Sequence, residues 1–256
     1  MTYSIIGRKQ IVTVVILLIW LAAISFVIFR CLSDTFASAT ERKIPVYSVE
    51  TDEKQIALTF NCAWGDETTD AILDVLKENN IKCTFFIVGE FAEKYPESVR
   101  KMYNAGHEIA NHSMHHTDPV KQQFSEIAAD IDECNALLKS ITGVSEIKLY
   151  RAPSGSYDNK TIEAAESLGM QTIQWDVDSI DWKNPSAATI CSRVCNKAKN
   201  GSVVLFHLGK ENTLDALGEI IEKLKKDGYE FVTVGELIFW ENYYIDHTGR
   251  QVKASS

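Results

Sequence analysis

Three of the chain's six histidines fall within positions 112–116, at His112, His115 and His116. His112 and His116 are four residues apart, and on one helical turn that spacing points both imidazoles the same way. A borderline-soft divalent cation such as zinc takes such a pair with a carboxylate as third ligand and water completing the shell. Taken alone, the pair reads more simply as a polar turn whose histidines cap and hydrogen-bond. The weight comes from further polar clusters along the chain: Asn61-Cys62-Ala63-Trp64-Gly65-Asp66, Arg151-Ala152-Pro153-Ser154-Gly155, Asp178-Ser179-Ile180-Asp181-Trp182, and His207.

These clusters have to be positioned, and a rhythm of strands and helices predicts how. Short apolar runs predict strands over 55–60, 82–88, 107–110, 148–151, 171–177, 202–206 and 230–233. Helical spacing predicts helices over 68–78, 91–104, 124–141, 159–168, 186–199 and 213–226, with a short one ending near 240. Strands alternating with helices mean parallel pairing with both sheet faces covered. About seven such units predict a distorted (β/α) barrel, whose chemistry sits at the C-terminal ends of the strands. Each polar cluster follows an expected strand, so the five converge on one end of the barrel.

The N-terminus stands apart. Positions 11–29 are 19 uncharged, mainly apolar residues between Arg8-Lys9 and Arg30. At about 1.5 Å per residue that run spans a bilayer core. It lacks the polar stripe of a buried core helix, and no small-x-small site closes it as in a cleaved signal peptide. The expected organisation is a short cytoplasmic N-terminus (1–10), a transmembrane anchor (11–29), a stalk (30–47), the catalytic-type domain (48–240) and a C-terminal tail (241–256) for which fraying is the default. Basic residues on both flanks give a modest vote for a single-pass protein with its domain outside the cell membrane. The net charge is −9, and the exported part, without three basic residues, reaches −12. That balance excludes nucleic acid as a partner class. Six cysteines are too few and scattered for a disulfide scaffold; Cys191 and Cys195, one helical turn apart, read as small buried residues.

In order, the clusters resemble the motifs of the NodB-type polysaccharide deacetylases, carbohydrate esterase family 4, closest to its sporulation-associated, membrane-anchored branch. Leu58-Thr59-Phe60-Asn61 resembles the first motif, and His112-Ser113-Met114-His115-His116 the H-S/T-x-x-H metal motif. Arg151-Ala152-Pro153-Ser154-Gly155 resembles R-x-P-x-G, while Asp181-Trp182 and Leu205-Phe206-His207 look like the last two. The resemblance implies hydrolysis of N-acetyl groups from N-acetylglucosamine or N-acetylmuramic acid in a polymer such as peptidoglycan or spore cortex. It implies a divalent metal, zinc first, on His112 and His116. His207 would protonate the departing amine, favoured by Asp181, and Arg151 would orient the base. Trp182, Leu205 and Pro153 would line the substrate slot, and Trp64 would stack on a sugar ring.

One departure matters most. Family members carry two consecutive aspartates, base then metal ligand, where this chain has Asn61 and Cys62. An amide cannot take a proton from water at neutral pH. For the third metal ligand three assignments are open: Asp66, with Glu67 beside it, then Cys62 as a thiolate, then no metal at all. Two functions therefore stand: a metal-dependent deacetylase that has recruited a carboxylate, and a catalytically impaired pseudoenzyme that keeps the groove for glycan or partner binding.

Overall fold

The computed structural model describes residues 7–36 and 42–254. The chain divides into two compact units, Met1–Arg42 and Lys43–Ser256. In the first, helix α1 (Arg8–Phe36) runs for 29 residues, with exposed apolar side chains such as Leu17, Leu18, Ile19 and Trp20. Among the described residues no helix is long and apolar enough to cross a membrane. The side chains at 8–11, 14 and 29–36 lie outside those residues, so the expected span 11–29 falls partly beyond them.

In the second unit the strands are β1 (Ser48–Val49), β2 (Gln55–Cys62), β3 (Thr84–Ile87), β4 (Glu108–Asn111), β5 (Leu149–Tyr150), β6 (Gln171–Thr172), β7 (Val177–Asp178), β8 (Val203–His207), β9 (Glu230–Phe231), β10 (Tyr243–Ile245) and β11 (Arg250–Lys253). The helices are α2 (Thr69–Glu78), α3 (Gly89–Lys94), α4 (Pro96–Asn104), α5 (Phe124–Thr142), α6 (Asn159–Ser167), α7 (Ala187–Lys197), α8 (Glu211–Lys226) and α9 (Val234–Leu237). Seven parallel strands in the order β6-β5-β4-β3-β2-β8-β7 form a curled half-barrel, and β9 pairs with the first residues of β2. This is the expected α/β architecture, reached with three differences.

The first is the seam. A single strand expected over 171–177 is split, and its halves β6 and β7 lie at opposite edges of the sheet. Residues 173–176 cross between them, Ile173 N bonding to Tyr150 O at 2.8 Å and Asp176 N to Val203 O at 3.2 Å. The second is the tail. Instead of fraying, β10 and β11 form an antiparallel hairpin, and β11 pairs in parallel with β1. Asp246 caps the turn by accepting from Thr248 N and Arg250 N. The helix expected over 91–104 is broken at Tyr95, because Pro96 bars its predecessor from helical backbone and starts α4.

Strand periodicity sorts β2 onto two faces. Ile56, Leu58, Phe60 and Cys62 join the core under the helices, with Leu76 of α2 and Leu217 and Ile220 of α8. Ala57 joins the smaller barrel interior, with Phe86, Ala110, Leu149, Ile173 and Val203. Asn61 has the parity of Ala57 and so faces inward, above that interior, at the C-terminal end of the barrel. On α8, buried Ala216, Leu217, Ile220, Ile221 and Leu224 make the apolar stripe that covers the sheet.

At the other end, His107 precedes β4 and is buried. Its Nδ1 accepts from Cys83 N at 3.3 Å, and its ring meets Phe85 edge-on at 5.3 Å. Burial, with nearby Lys82, lowers its pKa from 6.5 to about 4. A base lowered in the folded state takes its proton first in the unfolded chain. Its contribution is therefore complete above pH 6.5 and is lost as pH falls towards 4. The expected loss is about 2 kcal/mol, read by urea unfolding at pH 7 and pH 4.5. A His107→Asn chain, weaker at pH 7, should lose correspondingly less on acidification; an equal loss in both chains would refute the assignment.

Candidate active site

At the C-terminal end of the barrel a cleft of about 400 Å³ is lined by Asn61, Ala63, Trp64, His112, His116, Ser154, Trp175, Asp178, Trp182, Leu205 and His207. All five polar clusters therefore open onto one space with side chains of their own at its wall, the one around Arg151 through Ser154. Arg151 itself lies beneath the cleft. Pro153 is buried at the start of a 3-10 turn and is not among the lining residues.

The histidine pair is brought together by a loop, not by the helical turn expected. Ser113 and His116 adopt left-handed backbone, with φ of 75° and 54°. Asn111 Oδ1 accepts from Ser113 N at 2.7 Å, Ser113 Oγ from His116 N at 3.0 Å, and Asp130 of α5 from Met114 N at 2.9 Å. The His112 and His116 rings meet at right angles, 5.0 Å between centroids. His115 turns outward to Glu90, at 3.0 Å. His112 Nδ1–H donates to Arg151 O at 2.8 Å, which leaves Nε2 with a free lone pair. Burial, then the neighbouring His116, holds His112 well below the usual imidazole range, and burial lowers His116 as well. Both rings are thus neutral at pH 7, the form that binds metal.

The expected third ligands lie elsewhere. Asp66 Oδ2 accepts from Ser98 Oγ of α4 at 2.7 Å and is not part of the cleft. Glu67 lines a separate shallow depression with Lys210 and Asn212. Cys62 is fully buried on the helix side of β2, and burial pushes its thiol well above the usual range, so no thiolate is offered. Among the described residues no group of three His, Cys, Asp or Glu side chains is placed to hold a metal ion. Two imidazoles remain, and that set does not fit the three-ligand metal centre expected of this family.

His207, at the end of β8, is tied to Asp181 twice: Nδ1–H donates to Oδ1 and the backbone N–H to Oδ2, each at 2.7 Å. Thr213 Oγ1 adds a third bond to Oδ2 at 2.7 Å. Asp181 is fully enclosed. It is aimed by Ile180 in left-handed backbone, φ 58°, a strained conformation for a β-branched residue held by Asp178 Oδ1 accepting from Ile180 N. The second ring nitrogen of His207 is left for the cleft, and Trp64 stacks on the ring at 5.1 Å. That approach needs Gly209, since a Cβ there would come within 2.9 Å of Gly65 O. Trp64 and Trp182 are both about half exposed, and Leu205 is buried at the wall.

Beneath the cleft Arg151 is fully buried. Its Nη1 donates to Thr59 Oγ1 and Asn61 Oδ1, both at 2.9 Å, and Nη2 to Gln174 O at 3.0 Å. Among the described residues Nε has no partner, and the guanidinium lies 3.8 Å above the Phe86 ring. Its partners are neutral, so burial alone pulls its pKa well below the usual value. Gln174, Thr213 and Asp130 were not singled out in the sequence, and Thr59 only as part of a motif; their roles arise from long-range bonds that no local pattern announces.

A parallel half-barrel with imidazoles, a carboxylate–histidine pair and aromatic walls at its C-terminal end has the form of a carbohydrate hydrolase. Residues 48–173 match the polysaccharide deacetylase family. The chain is 34% identical over 194 residues to the uncharacterized protein YlxY of Bacillus subtilis, covering 76% of this chain and 60% of that one. It is 32% identical over 205 residues to the peptidoglycan-N-acetylmuramic acid deacetylase PdaA of Bacillus subtilis, covering 79% and 78%. The crystal structure of BA3943, a CE4 family pseudoenzyme from Bacillus anthracis, superimposes with a TM-score of 0.73 at 33% identity, over 75% of this chain and 68% of that one. A mutant of that pseudoenzyme is described as having restored enzymatic activity. The chain belongs to the polysaccharide deacetylases, carbohydrate esterase family 4, hydrolases of non-peptide carbon–nitrogen bonds.

An aspartate at position 61 would give Arg151 a counter-ion in place. Asn61→Asp should raise stability by about 1–3 kcal/mol at pH 7, a rise in Tm of several degrees. The new carboxyl's folded pKa lies below its unfolded value, so the gain is complete above about pH 4 and disappears as pH falls through that lower value. Thermal unfolding at pH 7 and pH 3 checks both; an unchanged or lower Tm at pH 7 would contradict the burial described for Arg151.

Proposed function

We propose that this chain engages acetylated cell-wall glycan, peptidoglycan above all, through the cleft at the barrel's C-terminal end, and that its own deacetylation is strongly slowed by Asn61. The observation that carries the reading is the Asn61 side chain: it lines the cleft where the family resemblance expects the base, and its acceptor oxygen is bonded to Arg151. An amide there takes no proton from water at neutral pH. Asp181 cannot substitute, because its oxygens are committed to His207 and Thr213.

The remaining parts suit an acetamido sugar. Trp64 and Trp182 offer exposed rings for a sugar face, and Leu205 an apolar wall for the acetyl methyl. His207, held by Asp181, is oriented to give a proton to a departing amine. That intact pair favours a second reading, in which the chain hydrolyses N-acetyl groups as it stands. A divalent metal, zinc by family expectation, would have only His112 and His116 to hold it, so weak retention is part of the proposal. So is a membrane tether: the 19-residue uncharged run inside α1 supports an anchored protein with its domain outside the cell.

Acetate release from peptidoglycan and acetylated chitooligomers, with bound metal measured alongside, separates the readings. The full chain in detergent should release acetate at least 10²-fold more slowly than its Asn61→Asp variant, with less than one zinc per chain. Equal rates in the two would sink the proposal and restore the active deacetylase.

A further inference from the structure

Asn61 is more than a missing base. Its amide orientation is dictated by chemistry: the Arg151 guanidinium has only donors, so Oδ1 must face it and Nδ2 must point away. Among the described residues Nδ2 makes no hydrogen bond, and it is not among the enclosed, unpartnered polar atoms. The accessible space that Asn61 lines is the cleft. Where the family offers an acceptor, this cleft therefore offers a fixed hydrogen-bond donor. Beside it His112 Nε2 offers an acceptor, because Nδ1–H is spent on Arg151 O, and Leu205 with Trp182 offers an apolar wall.

From these three we infer that Asn61 is a specificity-determining residue that donates Nδ2–H to the carbonyl oxygen of an N-acetyl group, so that the cleft selects acetylated over deacetylated glycan. An acetamido group presents one acceptor, one donor and a methyl, the complement of this floor. A free amino sugar, protonated at neutral pH, presents only donors. It would leave the Asn61 donor unpaired against a like partner, and buried sites reject ligands on those terms. Arg151 acts through Asn61 as a positioning residue: it fixes which end of the amide meets the ligand. This inference rests on the glycan-binding reading given above.

The test is binding of an acetylated chitooligomer and its fully deacetylated counterpart to the full chain in detergent, followed by tryptophan fluorescence, with EDTA present to suppress turnover. Wild type should prefer the acetylated oligomer by about tenfold or more. Asn61→Asp keeps the bond to Arg151 and the fold but turns an acceptor to the cleft, so the preference should collapse or reverse. Asn61→Ala, which removes the donor without adding an acceptor, should fall between. A preference unchanged in Asn61→Asp would overturn the donor role while leaving glycan binding intact. Failure of the wild type to bind either oligomer or intact peptidoglycan would overturn both readings.

Discussion

Everything at the functional end of the barrel is arranged around a cation buried without a counter-ion. The Arg151 guanidinium is enclosed by Phe86, Thr59, Asn61 and the Gln174 carbonyl, all neutral. Desolvating an ion is expensive, and neutral acceptors offset only part of that cost. What keeps the arrangement is multiplicity: three hydrogen bonds and an aromatic face at 3.8 Å. The partners come from three different parts of the chain. Thr59 and Asn61 lie on β2, Phe86 on β3, and Gln174 in the seam between the sheet's two edges. The arginine therefore ties the first strands to the point where the half-barrel would otherwise gape. Its backbone carbonyl also fixes the His112 tautomer. One residue thus positions the floor, the seam and an imidazole.

Where the family resemblance expects two aspartates this chain has Asn61 and Cys62, and only Asn61 reaches the cleft. His207, Asp181 and Thr213 form a closed network of short bonds, and the strained Ile180 is retained to aim it. Strain of that kind costs stability and persists only where surrounding structure enforces it. The cleft also keeps half-exposed tryptophans that solvent would disfavour. Retained strain and retained apolar exposure are easier to understand in a surface that still meets a ligand than in an idle remnant.

Much of this was legible in the sequence, for a physical reason. Apolar runs and helical spacing are local signals, and β2, β3, β8 and α8 fall where they predict. Convergence of Asn61, His112, His116, Asp181 and His207 followed from one rule about parallel barrels. The parity of position 62 was legible, since Ile56, Leu58, Phe60 and Cys62 alternate with Gln55, Thr59 and Asn61 along β2, but the family resemblance paired it with Asn61 at the site. Cys62 therefore looked available as a ligand when it packs under the helices. The helical turn expected for His112 and His116 failed because Ser113 and His116 take left-handed backbone, stabilised by Asn111 and Asp130 from outside the motif. Tail order depends on β1, some 200 residues away, although Asp246 and Gly249 carried a turn signal that periodicity alone passes over.

The replacement of aspartate by asparagine at position 61 is nearly isosteric, and that sharpens its consequences. A bulkier change would have displaced Arg151 and loosened the seam; a smaller one would have left an unfilled donor beside a buried cation. The amide preserves the one bond on which local packing depends, from Arg151 Nη1 to Oδ1. It gives up only what faces outward, where a basic oxygen becomes an N–H. Structure and chemistry are thus separated at the two ends of a single side chain. The inner end holds the barrel as an aspartate would, and on the function proposed above the outer end decides whether the cleft works on its ligand or holds it.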